Sequence, residues 1–158
     1  MSRTIDKALT ARYRALDKSI RLPIEGEDAI RPDLLIVFPY RGPARAPEVV
    51  IETDEFSAVC PWTGLPDQGA LTITYTPRRL LLELKSLKHY LLTFRQVGIV
   101  QEHAAARILR DLARAAKPAR MTVTVDYNVR GGLHTVVTVR HPQRPAPKPQ
   151  RTQRAQRQ

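Results

Sequence analysis

Two segments of strict period two bracket a stretch of helical period, and that order leaves few ways to fold. In the first, Leu71, Ile73 and Tyr75 alternate with Thr72, Thr74 and Thr76; in the second, Met121, Val123, Val125 and Tyr127 take every other place. Alternation sends successive side chains to opposite faces, so each segment predicts a half-buried strand. Val49 to Thr53 predicts a further strand upstream, and Gly131-Gly132 turns the chain so that Leu133 to Val139 returns as a partner. Leu34 to Phe38 is a short apolar, strand-like run closed off by Pro39, Pro43 and Pro47. Between the alternating segments, Ser86 to Gln96 carries Leu87, Tyr90, Leu91 and Phe94 on one helical face, ending at Gly98. A second helix is predicted from about Val100 to Ala116, with Ala105, Ile108, Leu109 and Leu112 as its stripe and Pro118 as its stop. Strand, strand, helix, helix, strand, strand predicts an α+β fold, an antiparallel sheet with helices on one face.

A chain of 158 residues has room for one core. The predicted organisation is a charged N-terminal extension over 1–31, a folded domain over 32–140 and a basic tail over 141–158. Within the extension, Leu9, Tyr13, Leu16 and Ile20 give weak helical periodicity over Lys7 to Ile20, suited to packing on the domain or a neighbouring subunit. Of the net charge of +11, the tail carries five units (Arg144, Lys148, Arg151, Arg154, Arg157) and no acid, leaving +6 for the rest. With four prolines and almost nothing apolar, the tail is predicted to be disordered; it reads as a solubilising segment, and contact with nucleic acid is open to it but not expected. No apolar run nears the ~20 residues of a membrane span, and the N-terminus lacks a secretory apolar core. A single cysteine excludes a disulfide framework and suits a reducing cytoplasm, and it lies far from His89, His103, His134 and His141, so no metal site is expected.

That cysteine sits in the run Glu55-Phe56-Ser57-Ala58-Val59-Cys60-Pro61-Trp62-Thr63-Gly64-Leu65-Pro66-Asp67. Pro61 and Pro66 fix φ at two points and Gly64 permits a sharp turn between them. The run therefore predicts a stiff double bend, off any regular element, that brings Cys60 and Asp67 together as a thiol beside a carboxyl group. By itself a lone cysteine also fits a small buried hydrophobe, and Asp67 also fits a cap on the bend.

The Cys-Pro-x-Thr-Gly-x-Pro-Asp core resembles the active-site loop of the QueF family. Three further stretches agree in order: Glu83-Leu84-Lys85-Ser86-Leu87-Lys88-His89-Tyr90, Phe94 to Glu102, and Arg130-Gly131-Gly132. The resemblance spans roughly Val49 to Val139. It implies the tunnelling fold (T-fold), in which sheets of neighbouring subunits join edge to edge into a barrel, as a homo-oligomer of one pentameric ring or two. It also implies NADPH-dependent reduction of the nitrile 7-cyano-7-deazaguanine to 7-aminomethyl-7-deazaguanine, on the way to queuosine in tRNA.

On that resemblance Cys60 is the nucleophile, adding to the nitrile carbon to give a thioimide, and Asp67 is the proton donor to the nitrile nitrogen. Glu102 is the candidate to accept the two adjacent N–H donors of the guanine-like edge, with Glu83 and Gln101 as further substrate-binding candidates. Glu102 equally suits an acid in a helix's first turn. Many family members carry a histidine where this chain has Gln101, and an amide cannot transfer a proton at neutral pH. Lys85 and Lys88, three apart at a helix start, with the amides near Ser86, are the candidate phosphate contacts of NADPH; Arg130 is a fourth. Taken alone, the lysine pair reads as a solvated helix face. None of the seven glycines makes a Gly-x-Gly-x-x-Gly fingerprint, so the cofactor site is not Rossmann-type. Two other readings compete. A T-fold amidinotransferase acting on the same nitrile in tRNA would need Cys60 and Asp67 but not the lysine motif. A non-catalytic RNA-binding module would explain the charge but not the cysteine bend.

Overall fold

The computed structural model describes residues 10–12, 14–15, 23–42 and 46–142. Among the described residues from 37 onward the elements follow one another as β1 (Val37–Pro39), β2 (Val49–Val59), β3 (Pro66–Thr76), β4 (Leu80–Leu82), α1 (Leu84–Leu92), α2 (Gln101–Ala116), β5 (Arg120–Tyr127) and β6 (Val136–His141). Four strands form one antiparallel sheet in the order β2-β3-β5-β6, and β1 pairs with β4 in a separate antiparallel ribbon. The molecule is thus a mixed α/β fold with antiparallel sheets. No helix among the described residues is long and apolar enough to cross a membrane.

The alternating residues face inward as their period requires. Leu71, Ile73 and Tyr75 of β3 and Met121, Val123, Val125 and Tyr127 of β5 are buried, and cross-strand pairs such as Ile73 with Val123 stack them under the helices. Ala104, Ala105, Ile108 and Leu112 of α2 complete this core with Leu87, Tyr90 and Leu91 of α1. Full burial of each large side chain contributes about 1.5–3 kcal/mol. Edge-to-face contacts of Phe56 with Phe94 (5.7 Å) and Tyr127 (6.4 Å), and of Tyr90 with Phe94 (5.4 Å), tie β2, β5 and the end of α1 together. A buried polar link fixes α1 against α2: the Asp111 carboxylate accepts from Tyr90 Oη at 3.0 Å and from Arg107 Nε at 2.6 Å.

Several boundaries differ from the sequence reading. Asp67 was expected off regular structure, yet it belongs to β3, because pairing of Ala58 with Asp67 and Val59 with Pro66 carries the hairpin right up to the bend. Pro66 is accommodated because it is the first residue of its strand. The bend itself is only Cys60 to Leu65. Helix α1 starts at Leu84 because Glu83 caps it, and it closes at Leu92, where Thr93 Oγ1 donates to the Tyr90 carbonyl at 2.6 Å. Helix α2 ends on Lys117 in the left-handed region (φ 47°), just before Pro118. Residues assigned to the extension pack on the domain: Ile30 is 2% exposed, and Glu25 bridges Val97. The helix expected over Lys7 to Ile20 is described only at 10–12 and 14–15, which are helical, and the tail beyond Pro142 lies outside the described residues.

Candidate active site

A single extra residue in β2 aims the cysteine. Thr53 pairs with Leu71 but Phe56 pairs with Gly69, so Asp54 and Glu55 together face one residue of β3. Such a bulge exchanges the two faces of a strand beyond it. Before it the odd positions Val49, Ile51 and Thr53 point toward the core; after it Phe56 and Ala58 do, and Cys60 follows them inward to 4% exposure. Gly69 must be glycine here, since a Cβ would lie 2.4 Å from the Asp126 carbonyl and 2.8 Å from Tyr127 Cα.

Beyond β2 the chain doubles back tightly. Cys60 N–H donates to the Leu65 carbonyl at 2.9 Å, and the Cys60 carbonyl accepts from Gly64 N–H at 2.8 Å, with Gly64 at φ 70°. These bonds hold Thr63 over the sulfur. The thiol is lowered below its usual range, chiefly by the Thr63 hydroxyl, with help from the Trp62 and Thr63 amides and the Arg130 guanidinium; burial opposes them. A lowered thiol carries more of the thiolate form, which is the nucleophilic one. The loop between the helices then locks the bend from behind. Val59 N–H donates to Val97 at 3.1 Å, Ile99 N–H to Val59 at 3.2 Å, and Gly98 lets Pro61 approach closely.

Asp67 is 6% exposed and its carboxylate is ion-paired with Arg130, which is about half exposed. Arg130 reaches it from a two-residue turn: Arg130 and Leu133 exchange backbone bonds of 2.9 and 3.0 Å around Gly131 (φ 59°) and Gly132 (φ 81°). Both glycines are required by these positive φ angles, since open space surrounds their Cα atoms. Tyr127 lies between this pair and helix α2. Its hydroxyl donates to the Gln101 carbonyl at 3.1 Å, and burial, then the Asp67 and Glu102 carboxylates, push the phenol far upward. Tyr127 therefore fixes the start of α2, with Gln101 half-buried and Glu102 exposed, beside the thiol site. The sequence reading had Tyr127 only as a core residue; its place three positions before Arg130 was the available signal.

The residues near α1 form a separate cluster. Glu83 accepts from the amides of Lys85 (2.8 Å) and Ser86 (2.7 Å), which lower its carboxyl. Ser86 Oγ donates to the Glu83 carbonyl at 2.8 Å and accepts from Ile36 N–H at 3.1 Å. The two amides expected to hold an anion are therefore occupied by Glu83, and Ser86 staples the helix to the segment before β1. Lys85 and Lys88 extend from the exposed face, and Lys88 pairs with Glu55 of the bulge. Glu55 also borders an open cavity of about 520 Å³ with Ser57, Gln68 and Arg95. The structure thus links Cys60 and Asp67 through Arg130, and Asp67 to Gln101 and Glu102 through Tyr127, while Glu83, Lys85, Ser86 and Lys88 lie elsewhere. Strand β2 joins the two, since Glu55 lies about 16 Å of extended chain before Cys60. Among the described residues no three His, Cys, Asp or Glu side chains could hold a metal ion.

Comparison with known proteins identifies the family. A family model described as QueF-like protein matches residues 66–146. The NADPH-dependent 7-cyano-7-deazaguanine reductase of Caldicellulosiruptor bescii is 48% identical over 121 residues, which cover 77% of this chain and 92% of that protein. The reductase of the same name from Thermotoga maritima is 51% identical over 112 residues, 70% of this chain and 80% of that one. A crystal structure of an archaeosine synthase QueF-Like in the apo form superposes with a TM-score of 0.59 at 24% identity, covering 66% of this chain and all of that one; at that identity the likeness is one of fold. Family model, curated relatives and the thiol–carboxylate hairpin agree: the chain belongs to the QueF-like family.

Proposed function

We propose that this protein reduces the nitrile of 7-cyano-7-deazaguanine to a primary amine with NADPH, in queuosine biosynthesis, by way of a thioimide on Cys60. The observation that carries the mechanism is the buried thiol, lowered by its own bend, with Arg130 acting on it while ion-paired to the buried Asp67 carboxylate. The reductases at 48% and 51% identity support the substrate and the cofactor.

Sulfur attacks the nitrile carbon: a C–S bond forms, the C≡N triple bond becomes C=N, and the thiol's proton ends on nitrogen with Asp67 as its carrier. NADPH, when bound, would supply two hydrides in turn to the former nitrile carbon, each matched by one proton taken up from water, with the Cys60 sulfur leaving between them. Glu102, exposed at the mouth of the site, accepts the paired N–H donors of the purine edge, and Gln101 beside it offers an amide but no proton. Lys85 and Lys88 suit the cofactor phosphates because their ammonium groups share one open face; Lys88 must leave Glu55 to serve, and Glu83 orders the helix that presents them. Ser86 serves that helix too.

A ring of subunits in the tunnelling fold fits the exposed surface. Strands β2 and β6 are the two edges of the sheet, and Val50 and Val136 on them are exposed. Trp62, 79% exposed beside Cys60, and Leu65, Val129 and Leu133 extend the apolar surface around the site.

Mass spectrometry under native conditions tests the covalent step. Protein mixed with the nitrile and no NADPH gains the substrate's mass; Cys60→Ala binds nitrile but forms no adduct and turns nothing over. Full turnover by Cys60→Ala would overturn the mechanism.

A further inference from the structure

We infer that Arg130 is a positioning residue of the C–S bond-forming step: its guanidinium holds the Asp67 carboxylate toward Cys60, a task completed before any cofactor is needed. This rests on the nitrile reading above and adds a second duty to a residue whose resemblance points to cofactor phosphate.

The geometry is built for it. Asp67 is a carboxylate almost wholly removed from water, and a buried charge of that kind is costly unless a counter-charge faces it. Arg130 is that counter-charge, 63 residues away in sequence. Its backbone is fixed by the reciprocal bonds to Leu133, and the stem below is tied to β3 by Asn128 N–H donating to the Gln68 carbonyl at 2.8 Å. On the outer side His134 Nε2 lies 2.6 Å from Asp126, bracing the same hairpin. The guanidinium therefore arrives at Asp67 from a rigid turn and also acts on the Cys60 thiol. Other titratable groups facing this cluster are the Tyr127 phenol from β5 and Glu102 from α2. Neither is a cation, so Arg130 is the positive charge among these neighbours. Arg130 places a positive charge against the Asp67 carboxyl group from which a proton would pass to nitrogen. Without it, carboxylate and thiolate would face each other uncompensated.

The test uses full-length protein, 7-cyano-7-deazaguanine and no NADPH, following adduct mass against time from pH 5 to 9. Arg130→Ala is expected to slow adduct formation about tenfold at neutral pH and to move its midpoint to higher pH, as loss of a nearby cation does. Arg130→Lys is expected to recover most of the rate; Arg130→Gln replaces the alanine variant should that one not fold by circular dichroism. In an Asp67→Asn background the same Arg130→Ala change is expected to add less than about threefold, because coupled residues are not additive. An Arg130→Ala protein with the wild-type adduct rate and midpoint, and a raised KM for NADPH alone, overturns the inference. If wild-type protein forms no adduct, the nitrile reading fails first; iodoacetamide alkylation of Cys60 over the same pH range still reads the Arg130 effect, and an unmoved midpoint there overturns it.

Discussion

The cysteine bend and the start of α1 both carry the motifs of the family, yet they are built in opposite ways. The bend is assembled from four distant parts of the chain: the end of β2, the start of β3, the 97–101 loop and the hairpin turn after β5. Its thiol and carboxylate are buried, and each leans on a partner far off in sequence or across a turn. The α1 cluster is local. Glu83, Lys85, Ser86 and Lys88 lie within six residues, and the first and third satisfy one another at the helix cap. Burial strengthens electrostatic coupling and exposure screens it. Changes at the bend should therefore alter chemistry by large factors, and changes at α1 should alter binding or stability by small ones.

The largest effect short of removing the thiol is expected at Asp67. Asp67→Asn keeps shape but cannot carry a proton, so adduct formation should fall roughly a hundredfold with nitrile binding kept. Stopped mixing with mass detection measures it, and a normal rate would make the bend as tolerant as the helix.

Thr63→Val comes next. The Thr63 hydroxyl is the main cause of the lowered thiol, so its loss should raise the pH midpoint of alkylation. Reaction is slow below the midpoint, where the thiol is protonated, and levels off above it. At a fixed pH between the two midpoints the variant should react more slowly than wild type, and well above both the rates should converge; a midpoint unchanged by iodoacetamide titration would remove Thr63 from the site.

At α1 the expected changes are smaller. Lys85→Ala with Lys88→Ala should raise the NADPH KM several-fold and leave adduct formation alone, since two exposed cations offer screened attraction. Glu55→Gln should move the NADPH KM the other way, because it frees Lys88 from its ion pair. Steady-state kinetics with NADPH varied at two salt concentrations reads both; an unchanged double variant returns the lysines to a solvated face.

Glu83→Ala should do least. Loss of the cap lowers Tm slightly by exposing two amides, with the adduct rate unaffected. Its stability contribution has a definite sign with pH. The carboxyl is lowered in the fold, so the benefit is present above the ordinary carboxylate pKa and fades as pH falls through the folded value. A Tm difference between wild type and variant that persists at pH 2 would contradict it.

What was legible in the sequence follows this same division. Period-two and helical patterns, the Gly131-Gly132 turn and the stop at Pro118 arise from sterics and burial within a few residues, so they could be read residue by residue. The motifs behind the resemblance drew attention to Cys60 and Asp67, and relatives of nearly half identity place the chain in the same family. Two things were decided only when the strands paired. The bulge at Asp54 and Glu55 turned Cys60 inward, and nothing local marks it, because a bulge is a mismatch between two strands. Arg130 met Asp67 across 63 residues. Periodicity tells each residue which face it prefers, whereas register and charge pairing depend on which distant segment arrives beside it. That choice belongs to the packed molecule.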